Sequence, residues 1–187
     1  MSDEELLQAY SEQGTPTNSL KKSKAKTGAL HGAAHVWIWR KKDGVIEFLL
    51  QRRDSSRHTW PNYLDISAAG HIDFQESPLQ AVIRETQEEL GLQIEAIKLK
   101  LLFVHRAYLY APNTEIIENE FRWVYGHELD GEISLQYNDG EVAETIWMDL
   151  PTFERMIRVK RGQDQIVPQG GEYFVSLFKE IRRQANL

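Results

Sequence analysis

Residues 70–92 read GHIDFQESPLQAVIRETQEELGL, and the rest of the chain is arranged around this stretch. It divides into a loop and one helix. Ser77 is placed as an N-cap with Gln80 three residues on, Pro78 suits the first helical position, and Gly91 can take the left-handed conformation that closes a helix. The spacing therefore predicts a helix from about Pro78 to Leu90. At 3.6 residues per turn, Leu79, Val82, Ile83, Thr86 and Leu90 share one face, while Glu85, Glu88 and Glu89 fall within roughly 100° on another. Like charges three or four residues apart cost roughly 0.2–0.5 kcal/mol per pair, and acids near a helix C-terminus also oppose the macrodipole. A hard divalent cation removes that penalty. Carboxylate oxygens with no His or Cys in the patch suit Mg2+, with Mn2+ as a substitute.

An isolated E-x-x-E-E is most often a solvated acidic face, and here the surrounding residues decide otherwise. The segment resembles the Nudix box, a family signature of Gly, five residues, Glu, seven residues, Arg-Glu, an aliphatic residue, any residue, Glu-Glu, any residue, Gly and an aliphatic residue. Gly70, Glu76, Arg84, Glu85, Glu88, Glu89, Gly91 and Leu92 all match. Thr86 departs from the usual Leu, Ile or Val. It is nearly Val in shape, and its hydroxyl can bond back to the Val82 carbonyl, so a small stability cost and no lost chemistry are expected.

Composition bounds what surrounds the box. With 187 residues, 41% of them hydrophobic, the chain is long enough for one domain with a sizeable core. It has no Cys, which excludes disulfides, thiolate metal sites and a Cys nucleophile, and is compatible with a reducing compartment. No apolar run approaches the roughly 20 residues that cross a bilayer, and residues 1–20 lack a signal-peptide core, so a cytoplasmic protein with no membrane association is expected. A net charge of -6 argues against non-specific nucleic-acid binding as the main role; a homodimer is left open.

Upstream of the box, residues 6–20 are expected to form a hairpin around Gly14, with a capped helix opening at Ser2 as the rival, and the basic run KKSKAK at 21–26 a solvated connecting loop more than a phosphate or nucleic-acid contact. AHVWIWR, from about His35, and VIEFLLQRR at 45–53 look like strands joined across Lys42, Asp43 and Gly44. ISAA at 66–69 is a short strand into the box loop. Downstream, residues 97–110 and 121–129 read as strands, Asn138, Asp139 and Gly140 as a turn before a strand into Trp147, and Leu150 to about Arg158 and Tyr173 to Arg183 as helices. The fold class is α/β. The Nudix resemblance implies an α/β/α sandwich with a mixed central sheet as a single domain, here residues 31–187 with the C-terminal helix, preceded by a 1–30 extension.

A closer resemblance covers most of the chain. LHGAAHVWIW, TWPNYLDISAAGH, IIENEF and NDGEVAETIW, in this order, are similar to the isopentenyl diphosphate isomerases, a branch of the Nudix fold. Those enzymes use a Cys where this chain has Ala69 and hold a metal through positions matched here by His31, His71, Glu118 and Glu120; one further ligand His has no counterpart before His31. Their box is degraded, whereas this one keeps its acids. The chain thus reads as an isomerase-like Nudix hydrolase, a metal-dependent pyrophosphohydrolase acting on a nucleoside diphosphate linked to another moiety. An isoprenoid-diphosphate isomerase and a noncatalytic nucleotide- or RNA-binding module are the competing readings.

The resemblance implies Mg2+ held by Glu85, Glu88 and Glu89 with a backbone carbonyl of Ala69 or Gly70, and a contribution from Glu120. Arg84 is expected to orient the glutamates, and Glu76 to fix the loop against the helix. Arg52 and Arg53 are candidates to grip the small-molecule diphosphate bidentately, and Trp60 is either a packing anchor or a stacking platform. The general base is expected at Glu141, with Glu144, Glu85 and Glu88 as the other candidates.

Overall fold

The computed structural model describes residues 4–111, 114–137, 140–159 and 166–186. Nine strands join in one mixed sheet. In chain order they are β1 (Leu6–Tyr10), β2 (Pro16–Lys21), β3 (His31–Lys42), β4 (Val45–Arg53), β5 (Leu64–Asp65), β6 (Ala68–His71), β7 (Lys100–Tyr110), β8 (Ile117–Glu128) and β9 (Val142–Asp149). The helices are α1 (Lys22–Ala25), α2 (Pro78–Leu90), α3 (Leu150–Arg158) and α4 (Tyr173–Gln184).

Strand β3 organises the sheet. One edge pairs antiparallel with β6 over Ala33–Val36 and with β4 over Trp39–Lys42, while the other pairs in parallel with β8, His31 opposite Glu120 through Trp39 opposite Glu128. The sequence suggests alternation along this strand, yet every residue from His31 to Trp39 is buried. The reason is that helices cover both faces. Ala34, Val36 and Ile38 pack with Val82 and Leu90 of α2, and Trp37 and Trp39 pack with Phe153 of α3 and Tyr173, Leu177 and Ile181 of α4. This is the expected α/β/α arrangement.

Helix α2 begins and ends where its signals lie. Ser77 and Gln80 form a reciprocal capping box, and Gly91 adopts φ 64° with its N–H on the Gln87 carbonyl. Thr86 is buried, its hydroxyl donating to the Val82 carbonyl at 2.6 Å. The back-bond lets a polar residue occupy the apolar face without an unsatisfied group.

Several local expectations change. The N-terminal hairpin forms, but the basic run 21–26 ends β2 at Lys21 and makes a one-turn helix over Lys22–Ala25 in place of a loop, because Ala25 finds a buried site and Lys21 and Lys22 pair with Glu4 and Glu5. β3 starts at His31, four residues before the expected start. The strand expected at 66–69 is displaced to Ala68–His71, so Gly70 and His71 belong to the sheet and are held by β3. β8 begins at Ile117 and not at 121, which brings Glu118 and Glu120 into regular strand geometry. The turn expected at 138–140 lies partly outside the described residues.

Gly91→Ala should lower stability by about 1–2 kcal/mol, since it adds a Cβ to a left-handed residue and places it 2.9 Å from the Gln136 carbonyl oxygen. Urea unfolding with an unchanged m-value reads this directly; an unmoved midpoint would contradict the C-cap assignment.

Candidate functional site

A cavity of about 820 Å3 opens between the box, the 54–60 loop and one face of the sheet. Because side chains alternate along a strand, β3 contributes His31, Ala33 and His35 to its floor and β8 contributes Glu118, Glu120 and Arg122. β6 adds Ala69, Gly70 and His71, and α2 adds Arg84, Glu85 and Glu88.

At the box, one guanidinium gathers the acids. Arg84 donates through Nε and Nη2 to Glu76 at 3.0 and 2.9 Å, through Nη1 to Glu85 at 2.7 Å and Glu88 at 3.0 Å, and to the His71 carbonyl at 3.0 Å. Glu76 also accepts the Asp73 N–H, tying the loop to the helix. Burial pushes the Glu85 carboxyl up to about 7; Arg84 opposes this, while Glu88 and Glu141 add to it. Burial and the neighbouring acids thus disfavour the charged form of Glu85, and a bound cation would favour it again. Gly70 lies so close that a Cβ there would land on the Glu85 carboxylate. Glu89 stands apart from its two neighbours: it is 3% exposed, accepts from Gln51 at 3.2 Å and from the Ala69 N–H at 3.1 Å, and does not line the cavity.

A second group lies on the floor. One ligand atom each from His31, His71 and Glu120 come within 4.8 Å of one another. The Glu120 carboxylate is 3.3 Å from His31 Nε2 and 3.9 Å from His71 Nε2, and its other oxygen accepts from Arg122 at 2.6 Å. His31 Nε2 is buried and has no hydrogen-bond partner, the mark of a donor atom awaiting a ligand, and two imidazoles with a carboxylate suit a borderline metal such as Mn2+, Fe2+ or Zn2+. Burial would raise the Glu120 carboxyl, but Arg122 and His31 hold it well below the usual carboxylate range. Burial pulls His71 down to about 4, against a smaller pull from Glu120. Glu120 belongs with these histidines and not with the box acids, and Glu118 is turned away onto Arg122 at 2.7 Å.

The other expected residues divide. β4 pairs irregularly with β9 at Arg52 and Arg53, and the two side chains go to different partners. Arg53 faces the cavity and binds Asp65 and Thr59, whereas Arg52 lies outside the cavity lining and pairs with Glu144 at 2.7 Å. Trp60 lines the cavity, edge-on to Tyr63. Glu141 lines it too and pairs with Arg57. Sequence reading passed over Arg122, although strand alternation from Glu118 and Glu120 places it on the same face. It also passed over Asp65 and Gln169, a buried pair joined at 3.4 Å that no local pattern links.

Residues 29–169 match the NUDIX domain family profile. The chain is 35% identical over 146 residues to the isopentenyl-diphosphate Delta-isomerase of Klebsiella pneumoniae, covering 75% of this chain and 74% of that one. It is 35% identical over 100 residues to Nudix hydrolase 3 of Arabidopsis thaliana, covering 54% of this chain but 13% of that relative's length. In fold it is similar to the crystal structure of DR0079 from Deinococcus radiodurans, with a TM-score of 0.65 and 21% identity over 96% of this chain and 98% of that one.

Two outcomes follow from Glu85. Gly70→Ala should displace its carboxylate and weaken Mn2+ binding by about tenfold or more at nearly unchanged melting temperature, read by metal titration. In the metal-free protein, a carboxyl raised from 4.5 to about 7 contributes relative stability that is full below pH 4.5 and lost as pH rises through about 7. Metal affinity should rise over the same window with proton release, and calorimetry showing pH-independent binding would contradict the assignment.

Proposed function

The chain belongs to the Nudix family, and from that premise we propose that it is a divalent-metal-dependent pyrophosphohydrolase cleaving a diphosphate linkage in a nucleoside diphosphate joined to another group. The observation that carries this reading is the Arg84 fork with Glu85 and Glu88 at the cavity mouth, an acid set held in place with one carboxyl raised to about 7. Mg2+ or Mn2+ bound there would neutralise diphosphate oxygens and lower the pKa of an attacking water. Glu85 and Glu88, with the Ala69 or Gly70 carbonyl, are the residues to hold it, and Glu89 supports the site from beneath through the Ala69 N–H. Arg53, inside the cavity, orients the diphosphate; Arg52 is left to the rim.

Glu141 is our choice for the base. It lines the cavity, it raises the Glu85 carboxyl through its charge, and Arg57 holds it at the end of a loop. A base in that position would take the proton of the attacking water while Arg84 holds Glu85 and Glu88 in place. Glu144, paired with Arg52, does not line the cavity and is the weaker candidate.

The identity to isopentenyl-diphosphate isomerases and the His31, His71 and Glu120 group favour a second reading, isomerisation of an isoprenoid diphosphate. Ala69 speaks against it, having no thiol to move a proton at an allylic carbon.

A panel of NTPs, NDP-sugars, dinucleoside polyphosphates, coenzyme A and prenyl diphosphates should include at least one compound from which phosphate or diphosphate is released, with loss on EDTA. Glu85→Gln and Glu89→Gln should each lower kcat by about 100-fold or more. Full activity of Glu85→Gln at saturating metal would refute the metal assignment. Glu141→Gln should depress kcat with little change in the Mg2+ concentration at half-maximal rate, and a near-wild-type kcat would return the base to Glu85 or Glu88. Deuterium exchange into isopentenyl diphosphate would establish the isomerase instead.

A further inference from the structure

His35 sits on the cavity face of β3, opposite Ala69 in the ladder and two residues before the core tryptophan Trp37. Its Nδ1 is 2.9 Å from the Tyr173 hydroxyl, and that hydroxyl also accepts the Trp37 indole N–H at 3.0 Å. Tyr173 is 0% exposed, so its one hydroxyl proton needs an acceptor, and His35 Nδ1 is the acceptor within reach among the described residues. Tyr173 therefore donates to Nδ1. The proton of the neutral imidazole is left on Nε2. Burial, reinforced by the Arg122 charge, drives His35 down to about 3, so the ring stays neutral in any working range.

The remaining nitrogen faces no protein partner among the described residues, yet it is not one of the sealed orphan atoms of the core. His35 lines the cavity together with Ala33 and Ala69, two residues with short side chains. We propose that the Nε2–H of His35 is a specificity-determining donor that binds an uncharged acceptor oxygen, carbonyl or hydroxyl, in the group attached to the far side of the substrate's diphosphate. This rests on the pyrophosphohydrolase reading, which puts the diphosphate at the Glu85 and Glu88 mouth and its substituent over the floor.

The charges around His35 set the ligand class. Arg122 is already used by Glu118, Glu120 and Gln169, and Arg53 by Asp65, so neither guanidinium is left for a second anion. A neutral donor with both nearby guanidiniums already paired selects a polar, uncharged end such as a sugar or an amide-bearing chain.

The test combines NMR and kinetics on the full chain. Nitrogen-15 imidazole spectra should show His35 as the neutral Nε2–H tautomer between pH 5 and 8. With Ca2+ present as a hard cation, UDP-glucose or ADP-ribose should shift the Nε2–H resonance, while inorganic diphosphate should leave it in place. For whichever of the two nucleotides is hydrolysed, His35→Phe should raise KM about tenfold with kcat little changed. Tyr173→Phe, which keeps the imidazole but unlocks its tautomer, should lose part of the same discrimination. An Nδ1–H tautomer, an unmoved resonance with both nucleotides, or an equal shift with inorganic diphosphate would overturn the proposal. If the resonance shifts but no compound of the wider diphosphate panel is hydrolysed, the donor stands and the pyrophosphohydrolase reading fails.

Discussion

The Arg84 guanidinium is the contact on which the site depends. It bonds Glu76 in the loop, Glu85 and Glu88 on the helix, and the His71 carbonyl at the end of β6, so one side chain fixes the angle between loop, helix and sheet edge. A lysine could not replace it, because only a planar fork with five donors reaches three carboxylates and a carbonyl together. The arrangement carries more negative than positive charge. Helix α2 stays folded despite this because its apolar face and its capping box are independent of the acids.

A second charge centre is built on the same logic one strand away. Arg122 is buried between Glu118, Glu120 and Gln169, and leaves one Glu120 oxygen to His31 and His71. Removing a partner from such a buried set leaves an uncompensated charge, which is costlier than the loss of an exposed ion pair. The cavity therefore joins a floor of buried ion pairs to an acidic mouth. The parallel register of β3 and β8 sets His31 directly across from Glu120, so the floor's geometry follows from strand pairing and not from loop conformation.

Much of this was legible in the residues. Helix α2, its caps and the Thr86 back-bond follow from local rules, and so do α3 behind Asp149 and the core face of α4. Strand alternation correctly aims Glu118 and Glu120 to one side. Local rules failed where tertiary contacts decide. The basic run became a helix because Ala25 could be buried, and Glu89 left its neighbours because Gln51 and the Ala69 N–H lie beneath it. Arg52 and Arg53 look like a pair in one dimension and diverge in three. The lock on His35 joins residues 138 positions apart, a distance no periodicity spans.

The claim that matters most is that the box acids, and not the histidines, hold the cation that serves hydrolysis. The anomalous signal of Mn2+ in crystals grown with a slowly hydrolysed diphosphate ester locates it directly. A manganese peak within ligand distance of the Glu85 and Glu88 carboxylates, with Arg84 still on Glu76, is the predicted result. Manganese confined to His31, His71 and Glu120, with Glu85 and Glu88 still closed on Arg84, would contradict it.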